Sequence, residues 1–369
     1  MPRHRRVLFV LRWRTVPYYG SSWGWMEQGT VADPSAKLLS HGLNNSCRFV
    51  VDMLNEAGVE AKLVQVADDN DIWKEIVAYD PTLVVIEAYW MRPKKLADLN
   101  ARFPGLPIVI RGHSSTPFLA EDSIGFPWAV AYLAAGGSVG QNDRRHVEEM
   151  RFLARDLFGL DREEARFRVP FLPNVYPDRA PVVVKQPIPG EIDIGCFGAI
   201  RSLKNHVGQA IAAMMFAREV GRYLRFHING DRLERGGQAV SAALDALFDA
   251  APNAELVRHP WIPTHDDFLE LIASMDMVTQ VSFAETFNIV AADAASQGVP
   301  LVGSAEIPWL AHESIADPTS THDIARVMRH VWDRRGIDSL LDPNRRGLQH
   351  FCVEARRSWL DYLGEVNPS

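Results

Sequence analysis

Residues 282–300 read SFAETFNIVAADAASQGVP, an alanine-rich apolar segment that carries two acids, Glu285 and Asp293. The spacing of its apolar residues predicts a helix that Thr286 or Asn288 caps and that ends before Gly-Val-Pro. A helix N-terminus offers unbonded amide N–H groups and the positive end of the helix dipole, which suit phosphate oxygens. The rise of an α-helix places the two acids about 12 Å apart along its axis. The segment therefore predicts an anion site between two acids.

A second polar motif, GCFGAIRSLKNH at residues 195–206, follows a short apolar strand. Gly198 belongs to its glycine turn, and Arg201 and Lys204 come shortly after it. The planar fork of Arg and the point charge of Lys are both suited to a diphosphate. Taken alone, each motif also has a structural interpretation. For residues 195–206 that interpretation is a solvated loop with ordinary surface cations. For residues 282–300 it is that Glu285 interacts with the helix dipole and that Asp293 lies on the surface.

Short β-rich apolar runs alternate with longer segments of helical period along the chain, which predicts parallel βαβ units. Residues 1–176 form one series, from the strand RVLFVLRW to a last strand-then-loop pattern at AYLAAGGSVGQN. The proline-rich stretch that follows disfavours both periodicities and is assigned as a linker. Residues 177–345 form a second series, and residues 346–369 an amphipathic closing helix. We therefore predict an α/β protein with two Rossmann-like domains that face each other across a ligand cleft.

Composition places the chain among ordinary globular proteins, with 47% hydrophobic and 23% charged residues in a length of 369. The sequence has no run of 18 apolar residues, so we expect no membrane span. Cys47, Cys196 and Cys352 lie far apart without a C-x-x-C pair, which disfavours a zinc site or a disulfide framework and favours a cytoplasmic setting. The net charge of -7 disfavours nucleic-acid binding over the whole surface, although five arginines among the first 30 residues indicate a local basic patch.

Together the two motifs resemble the retaining GT-B glycosyltransferases of the large family that includes sucrose synthase and bacterial glycan synthases. That family's signature is S-x-x-E-G-F-G-x-x-x-x-E-A-x-A-x-G-x-P-V, in which seven residues separate two glutamates. The chain matches it at Ser282, Glu285, Phe287, Asp293, Ala294, Gly298 and Pro300. The resemblance covers most of the second half and the first half only in general layout. It implies a GT-B fold in which the C-terminal helix closes back on the first domain.

The resemblance also implies roles for individual residues. Glu285 would contact the hydroxyls of the transferred sugar, and Asp293 the ribose of the nucleotide. Arg201 and Lys204 would neutralise the leaving diphosphate, and with Glu285 and His113 they are the predicted catalytic residues. The predicted donor-binding residues, which add helix-entrance amides and a base pocket, are Gly198, Arg201, Lys204, Trp261, Ile262, Glu285, Phe287, Asn288, Ile289 and Asp293. The expected donor is a nucleotide sugar such as a UDP- or GDP-sugar, with no cofactor and no metal.

Two departures from the signature bear on donor choice. Asp293 is one methylene shorter than the family's glutamate, and Thr286 and Asn288 replace two glycines at the helix entrance. Because side chains there could crowd the donor sugar, we expect a sugar preference that differs from the family's. The same departures keep open another class, a non-catalytic module that binds nucleotide sugars. A Rossmann oxidoreductase is disfavoured because no G-x-G-x-x-G follows either opening strand.

The first half supplies the predicted acceptor side. His113 follows the strand LPIVI, at the edge where cleft residues collect, and a loop-capping role is the structural alternative. The loop after the first strand is rich in glycine, aromatic residues and arginine, and its predicted acceptor-binding residues are Arg14, Gly20, Ser21 and Trp23. The aromatic residues of this loop could equally fill the domain interface.

The first-half segments GLNNSCRFVVDML, VVIEAYW and RGHSSTPFLAEDSIGF resemble glycosyltransferases encoded by bacteriophages. Phage enzymes of this fold glycosylate hydroxymethylated pyrimidines in DNA, which requires access to a flipped base. The first expectation for the acceptor is therefore a hydroxymethylated pyrimidine in DNA, and the second is a small cytosolic or glycan acceptor. The sequence leaves the sugar, the base and the oligomeric state open.

Overall fold

The computed structural model describes residues 5–12, 41–181, 188–230, 232–260, 262, 264–335 and 342–366. The described chain divides into two compact units. The first unit comprises residues 5–12, 41–177 and 351–366, and the second unit residues 178–350. Each unit is built on its own parallel sheet with helices, so the predicted α/β class is confirmed.

The sheet of the first unit has five parallel strands in the order β2-β1-β3-β4-β5. The three central strands, at Arg6–Arg12, Leu83–Glu87 and Ile108–Gly112, are buried in unbroken runs, as expected for parallel strands that are covered on both faces. This order is that of a doubly wound sheet, whose ligands bind beyond the carboxyl ends of the strands. The strands are β1 Arg6–Arg12, β2 Glu60–Val66, β3 Leu83–Glu87, β4 Ile108–Gly112 and β5 Ser138–Gln141.

The described helices of the first unit connect these strands. Asp143 caps the N-terminus of the helix Arg144–Phe158, because its side chain accepts a hydrogen bond from the Arg145 amide at 2.9 Å. The predicted strand in AYLAAGGSVGQN is shorter than expected, because residues AYLA end the fifth helix and the strand is confined to Ser138–Gln141. The helices are α1 His41–Glu56, α2 Ile72–Tyr79, α3 Pro93–Arg102, α4 Thr116–Ala120, α5 Gly125–Ala134, α6 Arg144–Phe158 and α7 Arg162–Arg168.

The second unit repeats the architecture with the strand order β10-β9-β6-β7-β8. Its core is a cluster of aliphatic and aromatic side chains that the sheet shares with its helices. The strands are β6 Glu191–Gly195, β7 Tyr223–Asn229, β8 Ala254–His259, β9 Met277–Gln280 and β10 Leu301–Gly303. The helices are α8 His206–Glu219, α9 Gly237–Asp249, α10 His265–Ala273, α11 Ile289–Gln297 and α12 Thr321–Arg334, with short 3₁₀ turns at Ser202–Lys204 and His312–Ser314.

The last described helix, α13 Pro343–Val366, begins in the second unit and continues into the first. Its Trp359 is fully buried in the first unit. The indole Nε1 donates to the Pro173 carbonyl at 2.8 Å, and the ring lies 5.7 Å from that of Phe9. The end of the chain is therefore part of the core of the unit in which the chain starts. Among the described helices, none is long and apolar enough to cross a membrane.

Candidate functional site

The carboxyl ends of β6 and β7 meet at a glycine turn in the second unit. Gly198 has a φ of 111°, a conformation that other residues rarely adopt. Its amide donates to Asn229 Oδ1 at 2.7 Å, which ties the turn after β6 to the end of β7. This edge of a parallel sheet is the one at which α/β proteins bind ligands.

Two ion pairs stand after this turn. Lys204 Nζ donates to Glu285 Oε1, and both side chains are largely buried, with 12% and 8% of their surface exposed. Arg201 lies 3.4 Å from Glu234, measured between Nη1 and Oε2. The structure thus brings the two predicted cations and the predicted sugar-binding acid to one edge of the sheet, and two of them bind each other directly.

Asn288 holds the entrance of α11 in the conformation that a glycine would take. Its φ is 60°, and Asn tolerates this region better than most residues. Its Oδ1 accepts from the Ala291 amide at 2.9 Å, while its Nδ2 donates to Gln280 Oε1 at 3.0 Å. The side chain is therefore committed to hydrogen bonds inside the unit. In the first turn, Ile289 and Val290 keep amides that the Asn288 side chain does not cap.

Phe287 and Thr286, which precede this cap, are also buried. The Phe287 ring lies 6.2 Å from that of Trp309, and its carbonyl accepts from Trp309 Nε1 at 2.9 Å. Packing and one hydrogen bond thus fix the backbone that leads into α11.

The second acid, Asp293, is 2% exposed and so is not a surface residue. Its Oδ1 lies 2.8 Å from Nε2 of His265, the first residue of α10. Nothing in the sequence indicated this partner, because 28 residues separate the two. In the structure the shorter acid has a histidine beside it, and that imidazole is 13% exposed.

A chain of polar side chains crosses three strands behind the glycine turn. Asp193 Oδ1 on β6 lies 2.8 Å from His227 Nε2 on β7. His227 Nδ1 in turn lies 2.8 Å from His259 Nε2, at the end of β8. The planes of the two imidazoles are nearly parallel, 17° apart, and the ring centroids are 5.1 Å apart. The ring of Phe197, in the glycine turn, packs edge-on against His259 at 5.9 Å.

His206, the first residue of α8, is a buried imidazole beside the cations. It is 1% exposed, and neither ring nitrogen has a hydrogen-bond partner among the residues that the structure describes. Burial and the nearby charges of Lys204 and Arg201 lower the pKa of His206 to about 3. The ring is therefore neutral at pH 7 and adds no charge to the site.

His113, the predicted catalytic histidine of the first unit, belongs to a buried ionic cluster. Its Nε2 bonds Glu87 Oε2, and Glu87 also binds Arg111 Nη1 at 3.2 Å. Arg111 donates further to the Leu172 carbonyl at 2.8 Å and to Asn174 Oδ1. Arg111 and Glu87 are fully buried, whereas His113 is 13% exposed.

The cluster sets the charges of its members. Burial opposes the ionisation of Glu87, but Arg111 and His113 outweigh it and hold the pKa of Glu87 below its ordinary value. Burial and the charge of Arg111 lower the pKa of His113, although Glu87 acts in the opposite direction. We conclude that Glu87 is a carboxylate that accepts the Nε2 proton of a neutral His113. Sequence reasoning missed Glu87 because it lies on a strand whose other residues are apolar.

Several predicted residues lie outside the part of the chain that the structure describes. They include all four predicted acceptor residues and one residue of the base pocket, namely Arg14, Gly20, Ser21, Trp23 and Trp261. Ile262, the other base-pocket residue, is half-buried. For the described residues, no group of three or more His, Cys, Asp or Glu side chains could hold a metal ion.

No protein-family model matches the sequence, and no curated protein sequence matches it either. Solved structures share its fold. A UDP-forming α,α-trehalose-phosphate synthase from Burkholderia xenovorans aligns with a TM-score of 0.60 at 14% identity, over 80% of this chain and 76% of its own. The sucrose-phosphate synthase of Thermosynechococcus elongatus aligns with a TM-score of 0.60 at 13% identity, over 98% and 97%.

A third structure, trehalose-6-phosphate from E. coli bound with UDP-2-fluoro glucose, aligns with a TM-score of 0.61 at 9% identity, over 99% of both chains. These similarities confirm the predicted GT-B fold. At such identities they establish the fold alone.

Proposed function

We propose that the protein is a retaining glycosyltransferase that moves a sugar from a nucleotide-sugar donor to an acceptor hydroxyl. The observation that carries the proposal is the Lys204–Glu285 pair, which stands between the glycine turn and the entrance of α11. A cation, a carboxylate and a helix N-terminus are the groups that a sugar diphosphate requires at one place. The GT-B fold of sugar-transferring neighbours supports the same assignment.

The chemistry follows from the charges. During transfer the bond between the anomeric carbon and the diphosphate oxygen breaks, and its electron pair stays on the leaving diphosphate. In this proposal Lys204 and Arg201 stabilise that charge, together with amides in the first turn of α11. The acceptor oxygen forms the new bond to the anomeric carbon, and its proton passes to the leaving phosphate oxygen. In this proposal the charge is carried by protein cations and amides, without a metal.

The ion pair also suggests which contacts change when the donor binds. Lys204 and Glu285 form an ion pair in a largely buried place, where a charge without a partner is costly. A bound diphosphate offers Lys204 a second anionic partner, and the sugar hydroxyls offer Glu285 new donors. We propose that, on binding, contacts with the donor replace the contact between Lys204 and Glu285. Each charged side chain then has a partner both before and after the donor binds.

The donor is proposed to be a UDP-sugar. Two of the fold neighbours described above specify UDP in their names, one as the nucleotide formed and one as part of the bound ligand. A hydroxymethylated pyrimidine in DNA remains a prediction for the acceptor, and a small hydroxyl acceptor is the alternative, favoured by the neighbours that are named as trehalose-phosphate and sucrose-phosphate synthases. A salt series on acceptor binding separates them, because DNA affinity falls steeply with salt concentration. Binding that is flat with salt would exclude DNA.

The test of the function is Lys204→Met, assayed with a panel of nucleotide sugars for hydrolysis and transfer. Removing one group that stabilises developing charge is expected to lower kcat about 10²- to 10³-fold. The control is Asp333→Asn, a surface acid paired with Arg329, which we expect to retain wild-type rates.

Glu285→Gln decides between enzyme and binding module. In the proposed enzyme this variant loses turnover while the wild type hydrolyses or transfers at least one sugar of the panel. If the wild type and Glu285→Gln both bind nucleotide sugars and neither turns over any of them, the protein is a non-catalytic module instead.

A further inference from the structure

We propose that Gln280 is a positioning residue that holds the glycine turn and the entrance of α11 at a fixed separation, so that a diphosphate can contact both at once. This inference rests on the proposed function and adds to it a residue that acts on the donor only through other residues. Gln280 ends β9 and is 2% exposed, so its side chain belongs to the interior of the second unit.

The two elements follow neighbouring strands that separate at the edge of the sheet. The glycine turn follows β6 and the entrance of α11 follows β9, and the backbone pairing of these two strands ends at Gly195 and Val278. In the sheet β7 and β8 lie on one side of β6, whereas β9 and β10 lie on the other, so the strand order reverses between β6 and β9. Ligands of doubly wound sheets bind in the crevice at such a point. A side chain that crosses this crevice therefore sets its width.

The Gln280 side chain makes this connection. Its Nε2 donates to the Phe197 carbonyl in the glycine turn at 3.0 Å, and its Oε1 accepts from Asn288 Nδ2 at 3.0 Å. Asn288 Oδ1 in turn accepts from the Ala291 amide at 2.9 Å. A chain of hydrogen bonds thus runs from the peptide before Gly198 to the first turn of α11.

Backbone groups at the two ends fix the direction of every hydrogen bond in this chain. The Phe197 carbonyl can only accept, so the Gln280 atom beside it is the amide nitrogen. The Ala291 amide can only donate, so the Asn288 atom beside it is the amide oxygen. The remaining oxygen of Gln280 and the remaining nitrogen of Asn288 then face each other as acceptor and donor. No ionisable group takes part in the chain.

The peptide between Phe197 and Gly198 is held at both of its polar atoms. Its carbonyl accepts from Gln280, and its N–H donates to Asn229 Oδ1 at 2.7 Å. The carbonyl oxygen is the negative end of the peptide dipole, and its bond to a buried side chain keeps it inside the unit. Without Gln280 this peptide would be free to rotate and to present its oxygen to a bound anion.

The cation of the site is tied to β9 by a different glutamine. Gln209 Nε2 donates to the Lys204 carbonyl at 2.7 Å, while its Oε1 accepts from the Val281 amide at 2.7 Å. A substitution of Gln280 therefore leaves the backbone of Lys204 attached to the segment that leads to Glu285. We expect the loss of Gln280 to change the alignment of the glycine turn with α11 rather than the ion pair.

The experiment measures binding of UDP and UMP to the full chain by titration calorimetry, for the wild type and Gln280→Met. Methionine is similarly long and unbranched, but it offers no N–H donor and only a weak acceptor. In this proposal a diphosphate contacts both elements and a monophosphate contacts one of them. UDP affinity should therefore fall about tenfold or more, since small misplacements of positioning groups have effects of that size. UMP affinity should stay near that of the wild type.

The control is Gln297→Met, the same change at a buried glutamine that ends α11 on the side away from its entrance. This variant should leave the affinities for UDP and UMP unchanged. Thermal melting establishes that each variant is folded.

Gln280→Glu separates hydrogen bonding from packing, because the two side chains have nearly the same shape. A protonated carboxyl group donates to the Phe197 carbonyl and accepts from Asn288, as the amide does, whereas a carboxylate cannot donate. Burial raises the pKa of a carboxyl group, so the protonated form gains as the pH falls. The ratio of UDP dissociation constants, variant over wild type, should fall toward one between about pH 8 and about pH 5.5. For Gln280→Met this ratio should stay constant.

The outcomes distinguish this inference from the proposed function. If the wild type does not bind UDP, GDP and GMP replace UDP and UMP, and a wild type that binds neither diphosphate overturns both proposals. A folded Gln280→Met that binds the diphosphate as the wild type does, or that loses diphosphate and monophosphate equally, overturns the role of Gln280 and leaves the proposed function standing. So does a folded Gln280→Glu whose ratio does not change with pH. If Gln280→Glu does not fold, Gln280→Met decides alone.

Discussion

Each sheet carries a buried ion pair near its carboxyl edge, and the two pairs differ in how completely they are enclosed. In the first unit a carboxylate, Glu87, is enclosed by Arg111 and His113, and neither Glu87 nor Arg111 has any exposed surface. In the second unit the corresponding pair, Lys204 and Glu285, keeps a small exposed fraction on each side chain. A closed cluster has its hydrogen bonds satisfied by the protein itself. A partly open pair can exchange partners with a ligand.

The two units also differ in the surroundings of one histidine each, His113 in the first and His206 in the second. His113 lies next to a carboxylate, which favours its charged form and works against burial. His206 lies near Lys204 and Arg201, which disfavour the charged form and add to burial. We therefore expect substitutions in the Glu87 cluster of the first unit to affect mainly stability. Substitutions of Lys204 or Glu285 in the second unit should affect mainly ligand binding.

The largest effect on stability is expected from Arg111→Met. The change leaves the buried Glu87 carboxylate with a neutral His113 as its remaining partner in the cluster, and removes the bonds to Leu172 and Asn174. Breaking a buried pair from one side costs about 3–5 kcal/mol of the free energy of unfolding. Chemical denaturation measures the loss.

The matched control is Arg144→Met, whose exposed partner is Glu354 in the same unit. An exposed pair contributes about 1 kcal/mol or less. Equal losses in the two variants would contradict the distinction between a closed cluster and a surface pair. Lys204→Met should lower stability less than Arg111→Met even though it lowers kcat about 10²- to 10³-fold.

The next effect is a dependence of stability on pH that comes from His206. Its pKa is about 3 in the folded protein, well below the ordinary value of a histidine, so between these values the unfolded chain binds the extra proton. The free energy of unfolding is unaffected by this group above about pH 6.5 and falls by about 1.4 kcal/mol for each pH unit below it, until the folded value is reached. Denaturation of wild type and His206→Leu between pH 7 and about pH 4.5 tests this, since the variant should lose that part of the slope. Parallel curves would refute the assignment.

The smallest effect concerns the entrance of α11. Asn288→Ala removes the side-chain cap and puts alanine at a φ of 60°, whereas Asn288→Gly removes the cap but suits the conformation. We expect a loss of about 1–2 kcal/mol for alanine and a few tenths for glycine. Donor-sugar preference should not change in either, because the Asn288 side chain bonds Gln280 and Ala291 within the unit. A shift in sugar preference would show that the side chain reaches the donor.

Part of the site could be predicted from sequence because its residues are close in the chain or occupy motif positions. The Gly198 turn, the two cations after it and the Asn288 cap are local features, and local backbone chemistry selects them. The partners of these residues could not be predicted. The Glu285–Lys204 contact joins positions 81 residues apart, and its formation depends on how β6 and β9 pair in the sheet.

By itself, the sequence determined the alternation of strands and helices, the two series and the acids of the opening segment, since hydrophobic period and turn residues act over short distances. Only the tertiary structure decided that Asp293 faces His265, that Glu87 holds His113 and that Asp193 reaches His259 through His227. Each of these pairs joins residues from different parts of the fold. A buried charged group is stable only with a partner, and the fold decides which partner lies near it. Strand order is set by packing of the whole sheet, so these partners are decided by the fold.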